Sequence, residues 1–158
     1  MLQLPSSGGV LPNHPPRNLT IATTGASGAI FLRQLLLAVA RDEHIETVNF
    51  IASDSALRVM AEELDIEGRS NLVERILGAS KTQANKIQAQ KIKEQSNADI
   101  GANVASGSYP ADAGATIFPL IPAFYYGPAS LDEMAREFAY RVLAHLGLPQ
   151  ADAFRWKG

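Results

Sequence analysis

Cysteine is absent from this 158-residue chain, and histidine is scarce, with three in all. The first absence excludes disulfides and thiolate metal sites, and it permits a reducing compartment, for which the plain expectation is the cytoplasm. His14, His44 and His145 lie far apart and share no metal-ligand spacing, so no metal is expected. Long apolar runs are also lacking: nothing approaches the roughly 18 uninterrupted apolar residues of a membrane-spanning helix. The opening "MLQLPSSGGVLPNHPP" has neither a charged first region nor a continuous apolar second one, so it reads as a flexible leader, residues 1–16, and not as a signal peptide. A formal net charge of −2 gives no broad attraction for nucleic acid or an anionic membrane.

What is present is ordinary globular material, 46% apolar and 19% charged, enough for one domain with a buried core. Residues 17–150 are read as that domain and 151–158 as a C-terminal tail. Leu19 to Thr23 suits a strand, Gly25 to Gly28 a tight turn, and Ile30 to Ala40 a buried helix. "ETVNFIASDSALRVMAEEL" repeats the pattern, with Val48 to Ala52 as a strand, Ser53 as N-cap, and Ala56, Val59, Met60 and Leu64 on one helical face. Strands alternating with helices predict an α/β fold with a parallel sheet and right-handed crossovers.

Beyond Asp65 the signal weakens. "SNLVERIL" reads as a short helix with Ser70 as a possible cap. "KTQANKIQAQKIKEQ" reads as a helix with a narrow apolar stripe at Ala84, Ile87 and Ile92, its lysines at 81, 86, 91 and 93 forming a solvated face. A third strand is expected around 115–118. The last helix follows Ser130, which forms a capping box with Glu133, and Gly147 is its natural stop.

Four stretches can carry chemistry. Thr24-Gly25-Ala26-Ser27-Gly28-Ala29 joins a strand to a helix; glycine allows close backbone approach and a helix N-terminus attracts anions, which suits a phosphate-bearing cofactor. It is neither a dinucleotide fingerprint nor a P-loop, and a plain tight turn with Ser27 as N-cap explains it equally. Ser53 ends the second strand on the same rim, where open parallel sheets bind ligands, or else only caps its helix. Glu63 follows one helix later. Ser106-Gly107-Ser108 is a small polar turn. Pro122-Ala123-Phe124-Tyr125-Tyr126 with Arg141 offers a phenol and a planar donor fork suited to phosphate, or merely surface aromatics and a helix arginine.

Taken together, "TIATTGASGAI", "IASDSALRVMAEEL", "ADIGANVASGSYPADAGATIFP" and "IPAFYYGPASLDEMAREFAYRVLAHLG" resemble successive blocks of the UbiX-type flavin prenyltransferases, in family order. The resemblance implies a flavodoxin-like or Rossmann-like three-layer αβα fold that binds FMN. It implies transfer of a dimethylallyl group from dimethylallyl monophosphate to reduced FMN, without a metal, for a UbiD-type decarboxylase. By position, Gly25, Ala26, Ser27 and Ser53 match flavin contacts, Glu63 a carboxylate implicated in proton transfer, and Tyr125 and Arg141 residues that hold the prenyl phosphate. Homo-oligomers with the flavin site at subunit contacts are expected as well.

The resemblance also exposes a departure. In the family, "GATIFP" leads to a flavin-covering loop, further strands and a Pro-Arg-Glu segment before the Pro-Ala-Phe-Tyr loop. Here the two blocks nearly touch at Pro119 to Ile121, so the domain reads as internally shortened by about sixty residues relative to a domain size nearer two hundred. The alternative to an active enzyme is therefore a catalytically inactive, truncated FMN-binding module or a defective family member. A cysteine-decarboxylase-like flavoprotein is a further reading, disfavoured by Tyr125 and Arg141.

Overall fold

The computed structural model describes residues 15–78, 89–96, 124 and 126–155. Strand β1 (Asn18–Thr23) leads to helix α1 (Ala29–Arg41), strand β2 (Thr47–Ala52), helix α2 (Asp54–Leu64), a short helix α3 (Leu72–Ile76), strand β3 (Ile92–Gln95) and helix α4 (Leu131–His145). The sheet is parallel, in the order β1-β2-β3, with Asn18 opposite Thr47 through to Thr23 opposite Ala52, and Val48 opposite Ile92 through to Ile51 opposite Gln95. This is the 3-2-1 half of a doubly wound α/β sheet.

Burial explains the strand order. Val48, Asn49 and Phe50 are all buried, and because consecutive strand residues face opposite sides, β2 is covered on both faces, as a central parallel strand must be. Asn49 is satisfied there, its Oδ1 accepting from Gln95 Nε2 at 3.0 Å on the neighbouring strand. Leu36, Val39, Phe50, Met60, Leu72, Ile76 and Leu143 are among the most deeply buried side chains and tie α1, α2, α3 and α4 to one core.

Several local readings hold in detail. Ser53 caps α2, its Oγ accepting from Ala56 N at 3.1 Å. Ser130 caps α4 through Glu133 N at 3.1 Å, although the Glu133 carboxylate returns to Ala129 N at 2.7 Å instead of to Ser130 N. At the other end Gly147 takes φ +80, Leu148 N donates to Leu143 O at 2.9 Å and Gly147 N to Ala144 O at 3.1 Å. That pair of bonds closes the helix by a Schellman motif, with Leu143 and Leu148 both buried beneath it. The described part of the C-terminal tail packs on α4: Tyr140 Oη donates to Asp152 Oδ2 at 2.9 Å and Phe154 N to Glu137 Oε2 at 2.9 Å.

Two readings need correction. The helix expected over 81–95 gives way at its end to β3: Ile92 is buried against β2 and Lys93 is exposed on a strand, not on a helix face. Helix-favouring residues there are overridden by pairing with a buried neighbour. Nor does Lys91 belong to a solvated face, since its Nζ donates to Asp42 O at 2.6 Å and Ile45 O at 3.1 Å, just past the end of α1. Burial pulls the Lys91 pKa down, opposed by the charges of Asp42 and Glu43. The second correction concerns α3, whose N-cap is Asn71 in the left-handed region and makes no side-chain cap, so Ser70 does not cap it. The strand expected at 115–118, the Ser106-Gly107-Ser108 turn, lysines 81 and 86 and the junction at 119–121 lie outside the described residues.

The β3 assignment is checked by mutation: Ile92→Ala is expected to lower stability by about 2–4 kcal/mol and Lys93→Ala by under about 0.5 kcal/mol in urea unfolding. Equal, small effects would contradict the strand.

Candidate functional site

The register of β1 and β2 brings two connections to one edge of the sheet. Thr23 lies opposite Ala52, and Ser53 N donates to Thr23 O at 3.1 Å, so the bend after β1 and the start of α2 leave the carboxyl ends of adjacent strands side by side. They touch. Gly25 sits at φ +86, and a Cβ there would fall 2.5 Å from Ser55 C and 2.7 Å from Ala56 N, closer than any side chain could be accommodated. Glycine is thus required twice, for its backbone angle and for the approach of α2.

At the N-terminus of α1 the cap residue is Gly28, at φ 111, without a side-chain cap of its own. The alternative reading of the turn, with Ser27 as N-cap of α1, is corrected here, because the capping group comes from α2. Glu63 Oε2 accepts from Ala29 N at 2.7 Å and Gly28 N at 3.0 Å, while Oε1 accepts from Ser27 Oγ at 2.7 Å. A carboxylate on the amide end of a helix meets both unpaired donors and the positive end of the dipole. The Glu63 pKa is accordingly lowered, first by the Ser27 hydroxyl and then by the Ala29 amide, with burial opposing them and the Gly28 amide adding a smaller lowering. Gly25, Ala26, Ser27, Ser53 and Glu63 are therefore assembled on one rim.

This arrangement redistributes the anion-binding capacity of the rim. Glu63 already occupies the amides of Gly28 and Ala29, leaving the exposed Ala26 and Ser27 and the start of α2 at Ser53 to face an incoming phosphate. Ser53 Oγ accepts its capping bond and keeps its own hydroxyl proton to donate. Beneath the bend lies a cavity of about 20 Å³ lined by Thr23, Gly25, Leu32 and Met60 among others, room for one water and far too small for an aromatic ring system.

One rim residue escaped the sequence reading. Arg69, from the connection between α2 and α3, donates from Nη2 to Ala52 O at 3.1 Å and to Asp54 Oδ1 at 2.8 Å, and Nη1 lies 3.5 Å from Glu94 Oε1. No motif surrounds it, and only the fold brings it back beside Ser53.

Of the two prenyl-phosphate candidates, only Arg141 is among the described residues, and Tyr125 lies outside them. Arg141 is exposed near the C-terminal end of α4, where its neighbour Tyr140 feels the charge of Arg41 at the far end of α1. One turn earlier on α4, Phe138 packs edge-on against Phe31 in the first turn of α1, with ring centroids 5.4 Å apart. Among the described residues no group of three or more His, Asp or Glu converges as a metal site, and no helix is long and apolar enough to cross a membrane.

Known proteins share this frame. The chain superposes on a dodecameric FMN-dependent UbiX-like decarboxylase from Escherichia coli O157:H7 with a TM-score of 0.67 and 18% identity, covering 89% of this chain and 100% of that one. It superposes equally, TM-score 0.67 and 21% identity, on AnUbiX (PadA1) in complex with FMN and dimethylallyl pyrophosphate, covering 90% of this chain and 98% of that one. The chain has the UbiX-like fold. In sequence, 45 residues are 42% identical to a probable UbiX-like flavin prenyltransferase of Bacillus subtilis (strain 168), a match spanning 28% of this chain and 22% of that protein. No protein-family profile matches the chain. In this UbiX-like frame the bend, Ser53 and Glu63 stand at the carboxyl edge of the sheet, the edge at which doubly wound folds bind ligands.

Two outcomes follow. Gly25→Ala is expected to destabilise by about 2–4 kcal/mol, through an unfavourable φ and the clash with Ser55, read by urea unfolding. Glu63→Gln is expected to cost about 1 kcal/mol near neutral pH, a capping value already discounted for solvent screening. Because the folded Glu63 pKa is depressed, its contribution is present above the ordinary glutamate value and lost as pH falls through the folded one. Wild type and Glu63→Gln should thus converge in stability in acid; a gap independent of pH would contradict the cap.

Proposed function

We propose that the chain acts as a UbiX-type flavin prenyltransferase, moving the dimethylallyl group of dimethylallyl monophosphate to reduced FMN and passing the prenylated flavin to a UbiD-type decarboxylase. The observation that carries this reading is the Ser27 hydroxyl bonded at 2.7 Å to Glu63, placed on the sheet edge beside Gly25, Ala26 and Ser53. The likeness in fold to AnUbiX, whose structure contains FMN and dimethylallyl pyrophosphate, supports it, as does the short identity to the Bacillus relative.

The rim suits a flavin phosphate on its own chemistry. Gly25 opens the backbone, Ala26 and Ser27 are exposed, and Ser53 starts a helix whose amide end favours an anion. Reduced FMN, when bound, would supply the electron-rich atoms that accept the allyl group. The chain's part is to hold the flavin by Gly25, Ala26, Ser27 and Ser53 and to manage a proton. Ser27 Oγ already donates to Glu63 Oε1, so a proton leaving the acceptor position can pass over the hydroxyl to the carboxylate. Glu63 is a weak base while Ser27 and the Ala29 and Gly28 amides hold it, and movement off those donors would raise its basicity.

Tyr125 and Arg141 are proposed to hold the departing phosphate, where cationic and hydroxyl donors offset developing charge. A homo-oligomer is proposed as well, supported by the dodecameric UbiX-like decarboxylase that shares the fold. A cytoplasmic setting fits the reduced flavin.

The test is anaerobic incubation of the purified chain with reduced FMN and dimethylallyl monophosphate, with the flavin product identified by mass. Prenylated flavin is expected, with Ser27→Ala and Glu63→Gln each slower by about a hundredfold or more. Flavin retained without product would favour the inactive binding module, and absence of both would end the assignment.

A further inference from the structure

Both chain neighbours of Ser53 are held by one guanidinium nitrogen. Arg69 Nη2 donates to the carbonyl of Ala52 at 3.1 Å and to the carboxylate of Asp54 at 2.8 Å, while Nη1 reaches towards Glu94 at the end of β3. The β2–β3 ladder is described as far as Ile51 and Gln95, and Arg69 adds a side-chain donor to the carbonyl of the next residue, Ala52. The fork geometry of arginine allows one side chain to bind acceptors on β2, α2 and β3 together.

Asp54 makes this grip consequential. Its side chain is 83% exposed and stands next to Ser53 in the first turn of α2, where an uncompensated carboxylate would repel any incoming phosphate. The Gly28 and Ala29 amides at the start of α1 are already taken by Glu63, so recognition of a phosphate falls on the bend at Ala26 and Ser27 and on the start of α2. We infer that Arg69 is a positioning residue for phosphate recognition: it fixes the Ala52–Asp54 segment and cancels the Asp54 charge, so that Ser53 can receive the phosphate of a flavin mononucleotide. The inference rests on the flavin-binding reading above.

Riboflavin, which carries the same ring without the phosphate, separates this role from mere support of the fold. Binding of FMN and of riboflavin to the intact chain is measured by quenching of flavin fluorescence, for wild type, Arg69→Met and Arg69→Lys. Wild type is expected to prefer FMN, and Arg69→Met to cut that preference by about tenfold while riboflavin affinity stays within about twofold. Arg69→Lys keeps the charge and loses the fork, so it is expected to fall between the two, and it serves in place of Arg69→Met should that variant fail to fold. A preference unchanged in these variants, or FMN and riboflavin affinities falling together, would overturn the role of Arg69. Wild type binding both flavins equally would overturn it while leaving the flavin reading intact, whereas binding of neither would overturn the flavin reading itself.

Discussion

The Glu63 carboxylate, lodged on the first amides of α1, is the contact on which the rest of the rim depends. It joins the end of α2 to the start of α1 through two backbone donors and the Ser27 hydroxyl. One group therefore caps a helix, orients the serine beside it and settles which part of the rim is left for an external anion. A carboxylate serves all three ends because it accepts several hydrogen bonds and carries the charge that a helix N-terminus favours.

That contact is possible only because the sheet places its neighbours in register. Parallel pairing sets Thr23 beside Ala52, which makes the bend after β1 and the start of α2 adjacent, and the missing side chain of Gly25 lets them close to contact. Arg69 then secures the outer flank by satisfying the last carbonyl of β2 and neutralising Asp54. Opposing charges are thereby paired at both helix starts: a carboxylate on the amides of α1, and a guanidinium beside the acid of α2. The rim is held largely by directed polar contacts, while the apolar core around Phe50, Leu36 and Met60 fixes the elements that carry them.

The sequence made the first half of this architecture plain and the remainder much less so. Alternation of β-branched strand residues with leucine- and alanine-rich helical stretches marks β1, α1, β2 and α2, and the caps at Ser53 and Ser130 and the stop at Gly147 follow from local chemistry. Residues 25–27, 53 and 63 could be singled out because glycine turns, strand ends and motif likeness leave local signals. Glu63 as the cap of α1 could not, since 34 residues separate it from Ala29 and only the crossover brings them together. β3 was hidden because four residues of strand lie in a stretch of helix formers, and pairing with buried β2 outweighs that preference. Arg69 was hidden for the related reason that its partners, Ala52, Asp54 and Glu94, are contributed by three separate elements.

The most direct measurement is the pH titration of the Glu63 side-chain carboxyl by carbon NMR in the ligand-free chain. A carboxylate held by the Ser27 hydroxyl and the Ala29 and Gly28 amides must titrate below the ordinary glutamate value, and its midpoint must rise when Ser27 is replaced by alanine. A midpoint at or above that value, unmoved by Ser27→Ala, would mean that the carboxylate does not rest on the start of α1.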